Sequence, residues 1–209
     1  MKKVVFYVEG GGNPDADTAL RQAFHKFFNE LDEQGKANGY ALTYKLCGSR
    51  RLTYEIFCFE RGRDPDSTHL LLVDSEAPVA TPGACWQHLK DRPGDGWERP
   101  DGATDADCHL MVQAMEAWFF ADPDALAKFY KQNFNANALP KTQNVEDIPK
   151  SRHIDALEAA TKATQKKRYH KTRHAPQILE ALDPVKVRRR APHCERLFAT
   201  VAALIGASV

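Results

Sequence analysis

Two short apolar runs, Lys3–Val8 (KVVFYV) and His69–Val73 (HLLLV), each stop at acidic residues: Glu9 after the first, Asp74-Ser75-Glu76 after the second. Runs of this kind show no polar alternation, so they read as strands buried on both faces. A sheet made of such strands needs helices above and below it, and the chain between the runs supplies them. After the break at Gly10-Gly11-Gly12 and the turn and cap residues from Asn13 to Asp17, Leu20, Phe24, Phe27, Phe28 and Leu31 recur at i, i+4, i+7, i+8 and i+11. That is one apolar face at helical period, ended by Gly35 to Gly39. Ala41–Leu46 reads as a further strand and Arg50–Arg61 as a helix. The order β-α-β-α-β predicts an α/β fold with a mainly parallel sheet flanked by helices, Rossmann-like in outline.

Ala77–Thr104 is rich in Pro and Gly and reads as a surface insertion with one short helix near Trp86–Lys90. Cys108–Val112 is expected as a fourth strand running into a helix over Gln113–Ala121. Across this segment Met111, Met115, Trp118 and Phe119 share one helical face, leaving Gln113 and Glu116 on another. His153–Thr164, Ala175–Leu182 and Pro192–Ile205 read as short helices joined by basic segments. With 209 residues and no internal repeat or long linker, one domain is expected. Residues 1–140 would form its α/β core and residues 141–209 a basic helical part capping it.

Several classes are disfavoured. No apolar run approaches the ~20 residues of a membrane helix, and the start MKKVVFYVEGGG has no signal-peptide profile. The five cysteines are widely spaced with no C-x-x-C pair, which argues against a disulfide framework or a Cys-rich zinc module and for the cytoplasm. Gly10-Gly11-Gly12 lacks the Lys-Ser/Thr of a P-loop. His170 and His174, although i and i+4, lack the H-E-x-x-H frame.

The formal net charge of +1 conceals a split. Residues 1–140 hold 15 Lys+Arg and 21 Asp+Glu, a balance of −6, and residues 141–209 hold 14 and 7, a balance of +7. The basic residues cluster at 166–174 (KKRYHKTRH) and 188–190 (RRR). Bases interleaved with an aromatic suit contacts to a phosphate backbone, which makes Lys167, Arg168, Lys171, Arg173, Arg189 and Arg190 candidate nucleic-acid contacts. A solvated helix face, or a surface docked on the acidic front part, explains the same charges.

In open α/β sheets ligands bind beyond the carboxyl ends of the strands. Glu9, Asp74 and Glu76 would then share one sheet edge, with Asp74 and Glu76 projecting to the same side of extended chain. Converging carboxylates repel unless a cation intervenes, and Mg²⁺ or Mn²⁺ suits an all-oxygen site that leaves room for water and phosphate. Each acid alone is equally well an ordinary turn residue at a strand end.

A strand ending Val8-Glu9-Gly10 in a glycine-rich turn, followed by a strand ending Asp74-x-Glu76, resembles the Toprim catalytic domain of topoisomerases, primases and the overcoming-lysogenization-defect (OLD) nucleases. The segment Val112–Asp122 (VQAMEAWFFAD) is similar, more narrowly, to a bacterial Toprim-like family of uncharacterised proteins. Tyr169-x-Lys171 and Arg189-Arg190-Ala191-Pro192-His193 resemble that family's C-terminal end. The resemblance implies that Glu9 is a general acid/base or metal ligand. It makes Asp74 and Glu76 the metal-binding pair, with Glu replacing the usual second Asp, and Glu116 a further ligand. Lys171 would be the lysine that stabilises charge on a phosphate, with Lys167 and Arg173 as competitors. Asp122 is divided between ligand and cap of the helix beginning at Pro123. The implied function is a Mg²⁺-dependent nuclease of a bacterial defence or toxin-like system. An ABC/OLD-type ATPase on a separate chain would act with it, docked on exposed Trp86 and Trp97 of the insertion. The alternative is a non-catalytic nucleic-acid- or metal-binding subunit of such a complex.

Overall fold

The computed structural model describes every residue except 12, 13, 82, 208 and 209. The turn expected at Gly12 and Asn13 therefore lies outside the described residues. The first apolar run becomes β1 (Lys2–Val8), whose last five residues are buried. Two helices follow, α1 (Pro14–Phe27) and α2 (Asn29–Ala37), then β2 (Tyr40–Leu46), α3 (Arg50–Arg63) and β3 (Thr68–Asp74). The insertion carries α4 (Cys85–Asp91) and leads to β4 (Cys108–Met111). Beyond it come α5 (Glu116–Phe119), α6 (Pro123–Tyr130), α7 (His153–Thr161), α8 (Lys171–Ala181), α9 (Pro184–Arg190) and α10 (Pro192–Ile205).

The four strands pair in parallel in the order β2-β1-β3-β4. Chain direction across the sheet reverses between β1 and β3, so their carboxyl ends flank the topological switch point where such sheets bind ligands. Alternation along the strands separates two cores. Val4, Phe6, Val8, Leu70 and Leu72 face one side, where residues of α1, α2, α8 and α10 cover them. Val5, Tyr7, Leu71 and Val73 face the other, under α3, α4 and Trp97. Leu157, Ile178 and Val201 belong to the first core, so the basic C-terminal part is packed into the same fold. Each buried Val, Leu or Phe contributes about 1.5–3 kcal/mol.

The structure departs from the sequence reading in several places. The helix expected through Leu31 is divided at Phe28, which has φ −96° and ψ 18°. The ring of Phe28 stacks 5.9 Å from Phe6 and 5.6 Å from Tyr44, and this packing overrides ideal helix geometry. The helix expected over Gln113–Ala121 shrinks to α5. Gln113 has φ 64°, and the Gln113 and Met115 amides donate to the side chains of Ser75 and Asp74 at 2.7 and 2.9 Å. Bonds across to β3 displace the first helical turn, and Gln113 and Glu116 are buried along with Met115, Trp118 and Phe119.

The basic run 188–190, read as a connecting segment, is the end of α9, which starts on Pro184 behind an Asp183 cap. Trp86 and Trp97, expected as exposed contacts, are buried. Trp86 donates to the Thr104 carbonyl at 2.8 Å, and Trp97 stacks on Tyr54 at 4.5 Å. The insertion is thus folded onto the second face of the sheet. All five cysteines are free. Among the described residues, no helix is long and apolar enough to cross a membrane.

Candidate metal centre

Register brings the acids together. Val8 pairs with Leu72 across β1 and β3, and the next amide, of Glu9, donates to the Leu72 carbonyl at 3.1 Å. The Glu9 side chain then turns toward the end of β3, and its Oε2 accepts the Asp74 amide at 3.2 Å. Glu9, Asp74 and Glu76 each offer a carboxylate oxygen, and these atoms lie within 4.8 Å of one another. Three hard oxygen donors at this spacing fit Mg²⁺ or Mn²⁺.

Asp74 and Glu76 do not meet as i, i+2 residues of an extended strand. β3 stops at Asp74, and Glu76 takes a left-handed conformation with φ 65°. Its amide donates to the Gln113 carbonyl at 3.1 Å, while the Ser75 hydroxyl ties this turn to the Gln113 amide at 2.7 Å. These cross-links between the β3 and β4 ends hold a backbone conformation that a Glu rarely adopts.

The electrostatics fit a cation site. Burial pushes the Asp74 carboxyl up to about 7, with Glu9 and Glu116 raising it further against Lys171 and Lys150. Burial also raises Glu9, partly offset by Arg50. Three cations missed by sequence reading surround the trio. Arg50 Nη1 lies 3.2 Å from Glu9 Oε2 and also donates to the Asp74 carbonyl. Lys150 is hydrogen-bonded to Glu76, and Arg92 stands 3.8 Å from it. Arg50 could have been found, because it opens the helix after β2, a strand adjacent to β1. No signal in the sequence points to Lys150 or Arg92.

Glu116 stands outside the trio. It is 1% exposed, and its Oε1 accepts from the Tyr169 hydroxyl at 3.2 Å and lies 3.3 Å from Lys171 Nζ. Lys171 opens α8 and, with Glu9, Gly10, Gly11, Asp74 and Met115, lines a cleft of about 280 Å³. At Gly11 (φ 89°) an added Cβ would fall 1.9 Å from the Asp17 carboxylate. A larger residue there would have to displace the Asp17 side chain and hold a left-handed backbone.

Among the six basic candidates, only Lys171 lines the cleft. Arg168 pairs with Glu158 at 3.2 Å, and Arg173 donates to His174 Nε2 at 3.2 Å. Lys167 and Arg189 are exposed. Arg190 is turned into the fold, donating to the carbonyls of Phe120 at 2.7 Å, Ala121 at 3.2 Å and Thr142 at 2.5 Å. Asp122 is a helix cap: its Oδ1 accepts from Ala125 at 3.3 Å and from Lys186 at 2.7 Å. His174 is buried and pushed down to about 4 by burial and Arg173, and its Nδ1 partners the Tyr130 hydroxyl at 3.0 Å.

Fold and site together define an α/β protein whose all-parallel sheet carries a carboxylate trio at its switch point, faced by a lysine from the C-terminal part. The chain belongs to the family described as Domain of unknown function (DUF4276), whose model matches residues 8–202. The matched span contains the trio, the insertion and Lys171. No curated protein and no solved structure matches the chain.

Proposed function

We propose that the protein is a Mg²⁺- or Mn²⁺-dependent nuclease of Toprim type that hydrolyses phosphodiester bonds of DNA or RNA. One observation carries the reading: the Glu9, Asp74 and Glu76 oxygens lie within 4.8 Å of one another, and two of these acids, Glu9 and Asp74, line a cleft with Lys171. Divalent metal, when bound, supplies Lewis-acid polarisation of a phosphoryl oxygen and a water of lowered pKa. Asp74 and Glu76 would hold the ion, and Glu9, which lines the cleft, would either complete its ligand set or take a proton from an attacking water. Lys171 Nζ offers a positive charge to the oxygen on which charge develops. Glu116 and Tyr169 orient that lysine rather than bind metal. Lys167 and Arg189 are exposed and, with Arg168 and Arg173 released from Glu158 and His174, would track the nucleic-acid backbone.

The resemblance to OLD-type nucleases supports a role in a bacterial defence or toxin-like system. The sequence has no P-loop, so an ABC/OLD-type ATPase would act as a separate partner. Five free cysteines support a reducing compartment, the cytoplasm.

The test is incubation of the pure protein with DNA and RNA, with and without Mg²⁺ or Mn²⁺. Cleavage should need metal and be lost in Glu9→Ala and Asp74→Ala, and cleavage surviving both substitutions sinks the assignment. A non-catalytic nucleic-acid-binding role is the second reading. It is favoured by Lys150 and Arg92, which already pair with Glu76, and it predicts salt-sensitive binding with no dependence on divalent metal.

A further inference from the structure

We infer that Arg50 is a positioning residue for the carboxylate centre, and that the insertion 77–104 is a built part of that centre because its Asp95 aims Arg50. The inference rests on the metal-site reading above and adds to it a residue and a segment that the acids alone do not implicate.

Arg50 sits where β2 gives way to α3, at the same sheet edge as Glu9 and Asp74. Its guanidinium is fixed on three sides. Nε donates to both Asp95 oxygens at 3.0 and 3.1 Å, and Nη2 donates to Oδ2 at 2.6 Å. The planar group lies over the Trp97 ring, 4.8 Å from its centroid. That leaves Nη1 directed at Glu9 Oε2, 3.2 Å away, and at the Asp74 carbonyl. The side chains of Arg50 and Asp95 are 13% and 4% exposed, so this is an ion pair withdrawn from water, with its orientation set by packing.

The chemistry explains why arginine and aspartate stand here. A guanidinium presents its donors in a rigid fork, so one edge can be clamped by a carboxylate while the remaining nitrogen serves another acceptor. A lysine ammonium is a single point on a flexible stem and cannot hold Asp95 and Glu9 in one plane. Asp95 also offsets the charge of Arg50. Glu9 is thereby given a hydrogen-bond donor of fixed direction. Arg92, from the same insertion, reinforces the clamp from Asp95 Oδ1 at 3.0 Å.

The test measures Mn²⁺ affinity of the full chain by titration calorimetry, for wild type, Arg50→Lys, Asp95→Asn and the double variant. Partners that orient metal ligands typically contribute ~10-fold or more in metal affinity. Each single variant is therefore expected to bind Mn²⁺ ~10-fold more weakly, and the double variant no more weakly than Arg50→Lys, because the two residues act as one unit. Wild-type affinity in Asp95→Asn, or losses that multiply in the double variant, overturns the inference. Asp95→Asn preserves side-chain shape and decides the matter alone if Arg50→Lys does not fold.

A crystal structure of metal-free Asp95→Asn reads the clamp without any metal. Separation of Arg50 Nη1 from Glu9 beyond hydrogen-bond distance supports it, and an undisturbed contact refutes it. Absence of Mn²⁺ binding by the wild type would refute the metal reading by itself, and the crystal structure would still decide the clamp.

Discussion

The ammonium of Lys171 stands 3.3 Å from the carboxylate of Glu116, joining the basic C-terminal part to a buried acid of the core. Glu116 takes a second contact from the Tyr169 hydroxyl at 3.2 Å, and Glu116 also raises the phenol well above its ordinary range after burial has done so. The tyrosine therefore stays a neutral donor, and the acid remains available to hold the lysine.

On the proposed nuclease reading, this arrangement would separate charge stabilisation from metal binding. Lys171→Ala is expected to lower the cleavage rate by ~10²-fold or more, the usual cost of losing one positioned donor to a developing charge, while leaving Mn²⁺ affinity unchanged. Glu116→Gln is expected to fall between the two, because the amide still accepts from Tyr169 but no longer attracts the ammonium. Single-turnover cleavage alongside Mn²⁺ titration measures both effects. A large loss of Mn²⁺ affinity in Glu116→Gln would make Glu116 a ligand after all.

Metal binding should release protons near neutrality. Asp74 titrates at about 7 in the metal-free protein because burial and neighbouring acids disfavour its charged form. Its folded pKa lies above the ordinary carboxylate range, so the protonated form stabilises the fold at low pH. That contribution fades as pH rises from about 4 through 7. A cation needs the ionised form, so Mn²⁺ affinity is expected to climb between pH 6 and pH 8 with proton release, measurable by calorimetry in buffers of different ionisation enthalpy. Asp74→Asn keeps an acceptor for the Met115 amide and removes the repulsion, so the metal-free variant should melt higher than wild type at pH 8.

Arg190 and the exposed bases should behave differently under substitution. Arg190→Ala strips partners from the carbonyls of Phe120, Ala121 and Thr142. Leaving such groups unsatisfied costs about 1–3 kcal/mol, to be read from urea denaturation, with little change in nucleic-acid affinity. Lys167→Ala with Arg173→Ala is expected to leave stability nearly unchanged and to flatten the dependence of nucleic-acid binding on salt, each lost phosphate contact lowering the slope by about 1.

His109 makes the fold acid-sensitive. It donates from Nε2 to the Ala106 carbonyl at 3.0 Å and accepts from Arg196 at Nδ1, 3.2 Å away. Burial, then Arg196, pushes it down to about 3. The unfolded chain takes up this proton near pH 6.5 and the folded one does not. Stability from this group is complete above that pH and is lost as pH falls from about 6.5 toward 3. Between pH 7 and pH 5 the loss is about 2 kcal/mol, and His109→Gln should reduce it in urea titrations at the two pH values.

Strand and helix identity was legible because it follows from local periodicity. Val4 to Val8 and Leu70 to Val73 are buried on both faces, as unbroken apolar runs require, and Leu20, Phe24, Phe27, Phe28 and Leu31 lie on one buried face as their spacing requires. The parallel sheet followed from the alternation of those patterns. Glu9, Asp74 and Glu76 could be singled out because Glu9 and Asp74 directly follow apolar runs and Glu76 stands two residues beyond Asp74. Local pattern misled where long-range bonds intervened. The amides of Gln113 and Met115 are taken by Ser75 and Asp74, which no helical wheel can register.

The sequence by itself determined where the backbone would be buried, where it would turn, and which acids would stand at strand ends, since these depend on neighbours within a few residues. Tertiary structure decided the company those acids keep. The order β2-β1-β3-β4 sets Glu9 against Asp74. Arg50 reaches Glu9 from 41 positions away and Lys150 reaches Glu76 from 74. Glu116, which its motif resemblance implies is a ligand, meets Lys171 and Tyr169 from the C-terminal part. Periodicity fixes which face of an element is apolar, but the partner of a polar side chain depends on crossovers and loop paths that bring distant segments within a few ångströms.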